Sequence, residues 1–288
     1  MKVLITGSPR GQLHHELQRY CPDGVSRVHT PDERLDITDR DAVLQVVESS
    51  RPDVIINAAA YTAVDKAEDE PELAYKVNAE GVANLADAAL TVDAHLLHVS
   101  TDFVFGASNG EPFTETAGVD PVGVYGQSKL AGERVLAERM PGSSLVMRTA
   151  WVYSAHGNNF VKTMIRLMNE RDEVGVIADQ VGSPTWAASL AGALWRAAER
   201  RATGTMHWTG AGVASWYDFA VAISEEGQRL GLIGKDTPVR PLRTDQYPTP
   251  AARPNYSVLE LTRTWEALGM QAPHWRTELR EMLEELVT

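Results

Sequence analysis

Cysteine is nearly absent: Cys21 is the only one in 288 residues. That excludes an intrachain disulfide and any cysteine-based zinc site, and predicts a reducing, cytoplasmic setting. Positive charge is also short. With 27 Lys and Arg against 39 Asp and Glu, the net charge is −12 and no long basic run occurs. Neither nucleic acid nor an anionic membrane surface is therefore an expected partner. No apolar run reaches membrane-spanning length, and no repeat or low-complexity linker is present. The chain enters a strand at Lys2, which leaves no room for a signal peptide. What is there can fill a core: 43% hydrophobic residues, with 7 Trp, 8 Tyr and 5 Phe. The length suits one large α/β unit with a smaller lobe.

The stretch from His98 to Lys129 carries the chemistry. Leu96 to Ser100 reads as a strand that delivers Ser100 and Thr101 to the carboxyl edge of a sheet, where open α/β sheets bind ligands. Tyr125 and Lys129 are four residues apart and share one face of a predicted helix. A phenol titrates near ~10, and a neighbouring ammonium lowers that value. The spacing thus predicts Tyr125 as a general acid/base with a lowered pKa, and Thr101 as the group holding a carbonyl or carbinol oxygen.

Upstream, Lys2–Thr6 followed by Gly7-Ser-Pro-Arg-Gly11-Gln-Leu-His predicts strand, glycine turn and helix, a phosphate-binding arrangement. Val25–His29 is the expected second strand. Asp32, suited to a ribose, and Arg34, suited to a 2′-phosphate, lie close together, so NAD and NADP both stay open. Asp39 or Thr38 should cap a helix over 41–49. Asp53–Asn57 reads as a buried parallel strand, and Ala58-Ala-Ala60 behind it leaves space for a flat ligand. Helices are expected over 71–89, 125–138, 188–199, 216–230, 262–268 and 275–286, with a strand over 144–149. Residues 1–150 form the expected dinucleotide-binding domain, and 151–288 mainly a substrate-binding lobe interleaved with it.

Seven ordered blocks carry a resemblance: Leu35-Asp-Ile-Thr-Asp39, Asn57-Ala-Ala-Ala-Tyr-Thr-Ala-Val-Asp65, Ser100-Thr-Asp-Phe-Val-Phe105, Tyr125-Gly-Gln-Ser-Lys-Leu-Ala-Gly-Glu133, Arg148-Thr-Ala-Trp-Val-Tyr153, Gly157-Asn-Asn-Phe160 and Asp179-Gln-Val-Gly-Ser-Pro-Thr185. Through them the chain resembles the extended short-chain dehydrogenase/reductases and, more closely, the dTDP-4-dehydrorhamnose reductases. The resemblance implies a Rossmann-like, doubly wound parallel sheet, NADPH or NADH as cofactor, and reduction of the 4-keto group of a dTDP-linked 6-deoxyhexose. It implies that Thr101 binds the sugar C4 oxygen, that Tyr125 donates the proton, and that Lys129 binds the nicotinamide ribose. Cofactor contacts are implied at Gly7, Arg10, Gly11, Gln12, Leu13, Asp36, Ile37, Ala58, Ala59, Ala60, Tyr61 and Asn78, the last as a brace for the sheet and active-site strand. Substrate contacts are implied at Thr101, Asp102, Phe103, Val104, Trp151, Asn158 and Arg253.

The chain departs from the family at His14, where the last glycine of the turn falls, which implies a shifted helix or altered loop. Tyr256 stands where the family often has Asn. Phe103 stands where the related sugar-nucleotide 4,6-dehydratases usually have Glu; a phenyl ring moves no proton, which favours ketone reduction. A related ketosugar, including one of the streptose type, is an alternative substrate. A non-catalytic reading is a dinucleotide-binding subunit similar to the regulatory β subunit of methionine adenosyltransferase. Some reductases of this type are homodimers bridged by Mg²⁺. The tail acids Glu281, Glu284 and Glu285 read first as a solvated helix face, so no metal site is assigned.

Overall fold

The unbroken apolar runs of the sequence become the middle of one parallel sheet. The computed structural model describes residues 1–28, 35–108 and 110–287. Its main sheet holds β1 (Lys2–Thr6), β2 (Ser26–Arg27), β3 (Val54–Asn57), β4 (His95–Thr101), β5 (Ser144–Thr149) and β6 (Gly204–His207). The order is β6-β5-β4-β3-β1-β2, and every neighbouring pair is parallel. This is a Rossmann-like doubly wound sheet. The second strand is shorter than the run expected from sequence, with Ser26–Arg27 its extent among the described residues.

Side chains alternate between the two faces of a strand, so consecutive apolar residues need cover on both. Val3, Ile56, Leu97 and Leu145 pack on one side against Leu190, Leu194 and Trp195 of a helix over Ala187–Arg200. Leu4, Ile55, Leu96 and Val146 pack on the other against Val43, Val47, Val82, Leu85 and Leu136 of three further helices. Each such side chain, buried fully, contributes about 1.5–3 kcal/mol.

The helices that matter for the site are α1 (Gln12–Arg19), α2 (Arg40–Ser50), α3 (Gly81–Val92) and α4 (Val124–Arg139). Asp39 caps α2 by accepting from the Ala42 N–H at 3.0 Å. The helix expected as one run from Pro71 is broken in character: an α turn over Pro71–Tyr75, a π turn over Lys76–Glu80, and then α3. Asn78 lies in that π turn, a deviation often found beside functional sites.

Beyond β5 a second core forms from Tyr153, Val161, Met164, Phe219, Ile223, Trp275 and Leu279. It includes a helix over Phe160–Glu170 that the sequence reading does not anticipate, capped by the Asn159 side chain on the Lys162 N–H at 3.1 Å. The chain then returns to the main sheet as β6, so the later third is threaded through the first part. Strand order reverses between β1 and β3, and their carboxyl ends open a crevice there, the usual ligand place in such sheets. Among the described residues no helix is long and apolar enough to cross a membrane.

Candidate active site

A cleft of about 990 Å³ runs along the carboxyl ends of β1, β3, β4 and β5. That is the upper end of the range for small-ligand sites. Its floor begins at the glycine turn. Gly7 has φ +107°, open to glycine but strained for other residues, and a Cβ there would stand 3.0 Å from the Ala58 carbonyl carbon. The two chain segments flanking the switch point thus meet backbone to backbone, leaving a smooth wall of Gly7, Ala58, Ala59 and Ala60. α1 starts at Gln12, and His14 is buried on its cleft side, with its Nε2 2.9 Å from Gln18 Nε2.

Of the residues expected at the cofactor, Gly7, Arg10, Gly11, Gln12, Leu13, Asp36, Ile37, Ala58, Ala59, Ala60, Tyr125 and Lys129 line this cleft. Tyr61 and Asn78 do not. The Asn78 amide is used up: Oδ1 accepts from the Tyr61 N–H at 2.9 Å, and Nδ2 donates to the Tyr61 carbonyl at 3.1 Å and to Ser128 Oγ at 3.0 Å. Asn78 therefore ties the loop after β3 to α4. The Tyr61 hydroxyl donates to Glu70 at 2.6 Å, away from the cleft. Asp32 and Arg34 lie outside the described residues.

Of the expected substrate contacts, Thr101, Asp102, Phe103, Tyr125, Trp151 and Asn158 line the cleft. Val104 is fully buried, packed with Phe105 and Leu130. Arg253 is committed elsewhere, paired with Asp65 at 2.8 and 3.0 Å and bonded to Thr249 and the Ala251 carbonyl. Trp151 takes a left-handed backbone, φ +50°, costly for a bulky residue. Its ring stacks on Trp216 with centroids 3.6 Å apart, and Gly182 leaves room for it, since a Cβ there would stand 2.8 Å from the indole. Ser8, Thr62 and Val64 also line the cleft. The sequence reading misses them, although they fall inside the glycine turn and the Asn57–Asp65 block.

Thr101, Tyr125 and Lys129 meet at the centre. Thr101 ends β4; its Oγ1 accepts from the Phe103 N–H at 3.2 Å and donates to Asp102 at 3.1 Å. Asp102 is buried, which pushes its carboxyl up to about 6 against the pull of Ser257 and Thr101. α4 is set down by Glu68, whose carboxylate accepts from the Val124 N–H at 2.9 Å and complements the positive helix end. Tyr125 follows in the first turn, with Phe103 edge-on at 5.6 Å.

The expected lowering of the Tyr125 pKa is not found. Burial pushes the phenol up to about 12, Asp102 adds to the rise, and the Thr101 hydroxyl opposes it. The reason lies in Lys129. Its Nζ turns inward, donating to the Val99 carbonyl at 2.7 Å and lying 3.2 Å from His98 Nε2. Burial brings Lys129 down to about 8, with Glu133 working against the fall. Tyr125 is accordingly held as a protonated phenol at neutral pH, the form a proton donor needs.

Away from the cleft, Glu16, His156 and Glu285 place ligand atoms within 4.8 Å of one another, the group among the described residues that could hold a metal ion. Of the tail acids only Glu285 takes part; Glu284 pairs with Arg229. Glu285 also pairs with Arg19 at 2.7 Å.

The model of the RmlD substrate binding domain family matches residues 1–288. A protein of Aggregatibacter actinomycetemcomitans named dTDP-4-dehydrorhamnose reductase is 43% identical, over 98% of this chain and 98% of its own. Among solved structures, a dTDP-4-dehydrorhamnose reductase from Clostridium acetobutylicum has a TM-score of 0.92 at 42% identity, covering 100% of both chains. The Bacillus anthracis enzyme of that name, in complex with NADP, has a TM-score of 0.90 at 38% identity, covering 99% of both.

Proposed function

The chain belongs to the RmlD substrate binding domain family, and on that premise we propose that it is an NADPH-dependent dTDP-4-dehydrorhamnose reductase. It reduces the 4-keto group of dTDP-4-dehydro-L-rhamnose to give dTDP-L-rhamnose. The observation that carries this is the meeting of Thr101, Tyr125 and Lys129 in a glycine-floored cleft.

The residues fit the cofactor. Gly7 and the three alanines make a wall that a Cβ at Gly7 would crowd, and the N-terminal end of α1 opens onto the same cleft, where its N–H groups favour an anion. Gly11, Gln12 and Leu13 would hold the diphosphate, Asp36 and Ile37 would meet the adenine, and Lys129 would serve the nicotinamide ribose. The bound reduced nicotinamide supplies the hydride. Thr101 holds the C4 oxygen in place, and Tyr125 gives that oxygen its proton as the carbonyl carbon gains hydride. Carbonyl, hydride and proton sum to the secondary alcohol, leaving a phenolate to be reprotonated. Fixing both donors beside the carbonyl removes the entropy cost of assembling them. Trp151 and Asn158 border the sugar side of the cleft. Phe103, lacking a titratable group, favours this reduction over dehydration.

The protein acts in the cytoplasm and has no nucleic-acid or membrane partner, in keeping with its net charge of −12. Glu16, His156 and Glu285 are the group among the described residues placed to hold a metal ion, and their imidazole suits a transition metal better than Mg²⁺, which takes oxygen donors.

The test is NADPH and NADH oxidation, followed by absorbance, with dTDP-4-dehydro-L-rhamnose generated in situ. Rapid oxidation, faster with NADPH, is expected. Tight NADPH binding without turnover on this or any related dTDP-ketosugar would favour the regulatory-subunit reading instead.

A further inference from the structure

Behind the cleft, a row of buried polar groups crosses the sheet from Thr6 through Asn57 and His98 to Lys129. The direction of each hydrogen bond in it can be worked out. The Ala59 N–H can only donate, and Asn57 Oδ1 lies 3.1 Å away, so this edge of the amide is the oxygen. Thr6 Oγ1 donates to the same oxygen at 2.7 Å. Asn57 Nδ2 is thereby turned to His98 Nδ1 at 2.9 Å. An amide nitrogen only donates, so His98 Nδ1 accepts and carries no proton. The proton of the neutral imidazole is on Nε2, which faces Lys129 Nζ at 3.2 Å. An ammonium has three N–H groups and no lone pair. The contact is a hydrogen bond only when Lys129 is an uncharged amine, with one of its N–H groups on the Val99 carbonyl.

We propose that His98, fixed as its Nε2–H tautomer by Asn57, is a positioning residue that favours the neutral amine form of Lys129 in the cofactor-free cleft. Lys129 gains its proton only by giving up the His98 contact.

The surrounding charges agree. Glu133, the acid nearest along α4, is bound by Arg148 through both carboxylate oxygens and by Ser100, so its pull on Lys129 is largely taken up. Arg10, Asp36, Asp102 and Tyr125 are the other titratable or charged groups around the cleft, with His14. Burial holds His98 well below the usual histidine range and brings Lys129 down to about 8. A lysine poised there exchanges its proton near physiological pH, where one titrating near 10.5 would stay charged. That poise leaves Tyr125 a phenol at rest, and a Lys129 that has left His98 and taken up a proton from solvent is a nearby proton source for the phenolate formed in turnover.

This consequence rests on the reductase reading; the proton assignment does not, and its test needs no turnover. In ¹⁵N-histidine NMR of the cofactor-free protein, which has 8 histidines, His98 is identified by its loss in His98→Leu. It is expected to show a bare Nδ1 and a protonated Nε2 throughout pH 6 to 9. A protonated Nδ1, in the other tautomer or in imidazolium, overturns the proposal. With ¹³Cε-lysine, Lys129 is expected to titrate well below the other five lysines, and to move up by about one pH unit or more in His98→Leu. Asn57→Asp offers an oxygen to His98 Nδ1, reverses the tautomer, and should raise the Lys129 titration likewise. An unmoved Lys129 in a folded Asn57→Asp protein contradicts the proposal even if His98→Leu does not fold.

Discussion

Replacing Gly126 by alanine tests how tightly α4 is seated against the turn that carries Thr101. Gly126 follows Tyr125 directly, and a Cβ on it would stand 2.2 Å from the Phe103 carbonyl oxygen and 3.0 Å from both Phe103 C and Pro121 Cβ. Contacts under 3.0 Å are essentially never seen, so α4 must retreat by at least 3.0 − 2.2 = 0.8 Å, and by more for an ordinary contact. The obstacle is backbone, so no side-chain rotation relieves it. Thr101 and Tyr125 lie on opposite sides of the clash, and a misplacement of about 1 Å can cost roughly 10²-fold in rate. Overpacking costs about 1–3 kcal/mol in stability. Steady-state kinetics on Gly126→Ala should give kcat lowered about 10²-fold, while NADPH affinity changes little. Alanine is the better helix former by about 1 kcal/mol, so with free space the variant would be more stable. A more stable protein with wild-type kcat would refute the reasoning.

Asn78→Ala should lose about 1–3 kcal/mol, because the Tyr61 N–H and carbonyl lose their partner; denaturant unfolding checks this, and an unchanged midpoint would count against the brace. Arg148→Ala strands the buried Glu133 carboxylate and should cost about 3–5 kcal/mol; a loss under about 1 kcal/mol would mean the pair contributes little. Glu226, bound by Arg280 and Arg229, is held down at about 2 from 4.5. Its folded value is depressed, so the stabilisation is complete above 4.5 and disappears as pH falls towards 2. Thermal unfolding of Glu226→Gln should therefore differ from wild type at pH 7 and converge with it near pH 2; a constant gap would contradict this.

Much of this was legible in the sequence because the signals were local. Unbroken runs such as Val54–Ile56 mark buried parallel strands, and Asp39 marks a helix start, whatever the rest of the chain does. The pairing of β6 with β5 was not legible, since Gly204–His207 has no apolar run and gains its place from the sheet edge. Within the site, helical spacing brought Tyr125 and Lys129 to one face but could not say where the ammonium points. Val99 and His98 draw Lys129 inward, so the lowered phenol pKa inferred from spacing is reversed by burial. The pairing of Arg253 was not legible for a similar reason: its partner Asp65 is 188 residues away, and no local pattern announces that pair. The role of Asn78 also depended on a tertiary contact, Ser128 on a different helix.

The central claim is that the cleft joins a hydride to the substrate's C4 carbon and a Tyr125 proton to its oxygen. It is tested most directly by reaction with NADPH deuterated at the transferred position, with mass and NMR analysis of the product. Wild-type protein should give dTDP-L-rhamnose with a single deuterium, at C4, and Tyr125→Phe should form that product ~10²–10⁴-fold more slowly. Product without deuterium at C4, or undiminished turnover in Tyr125→Phe, would contradict the account.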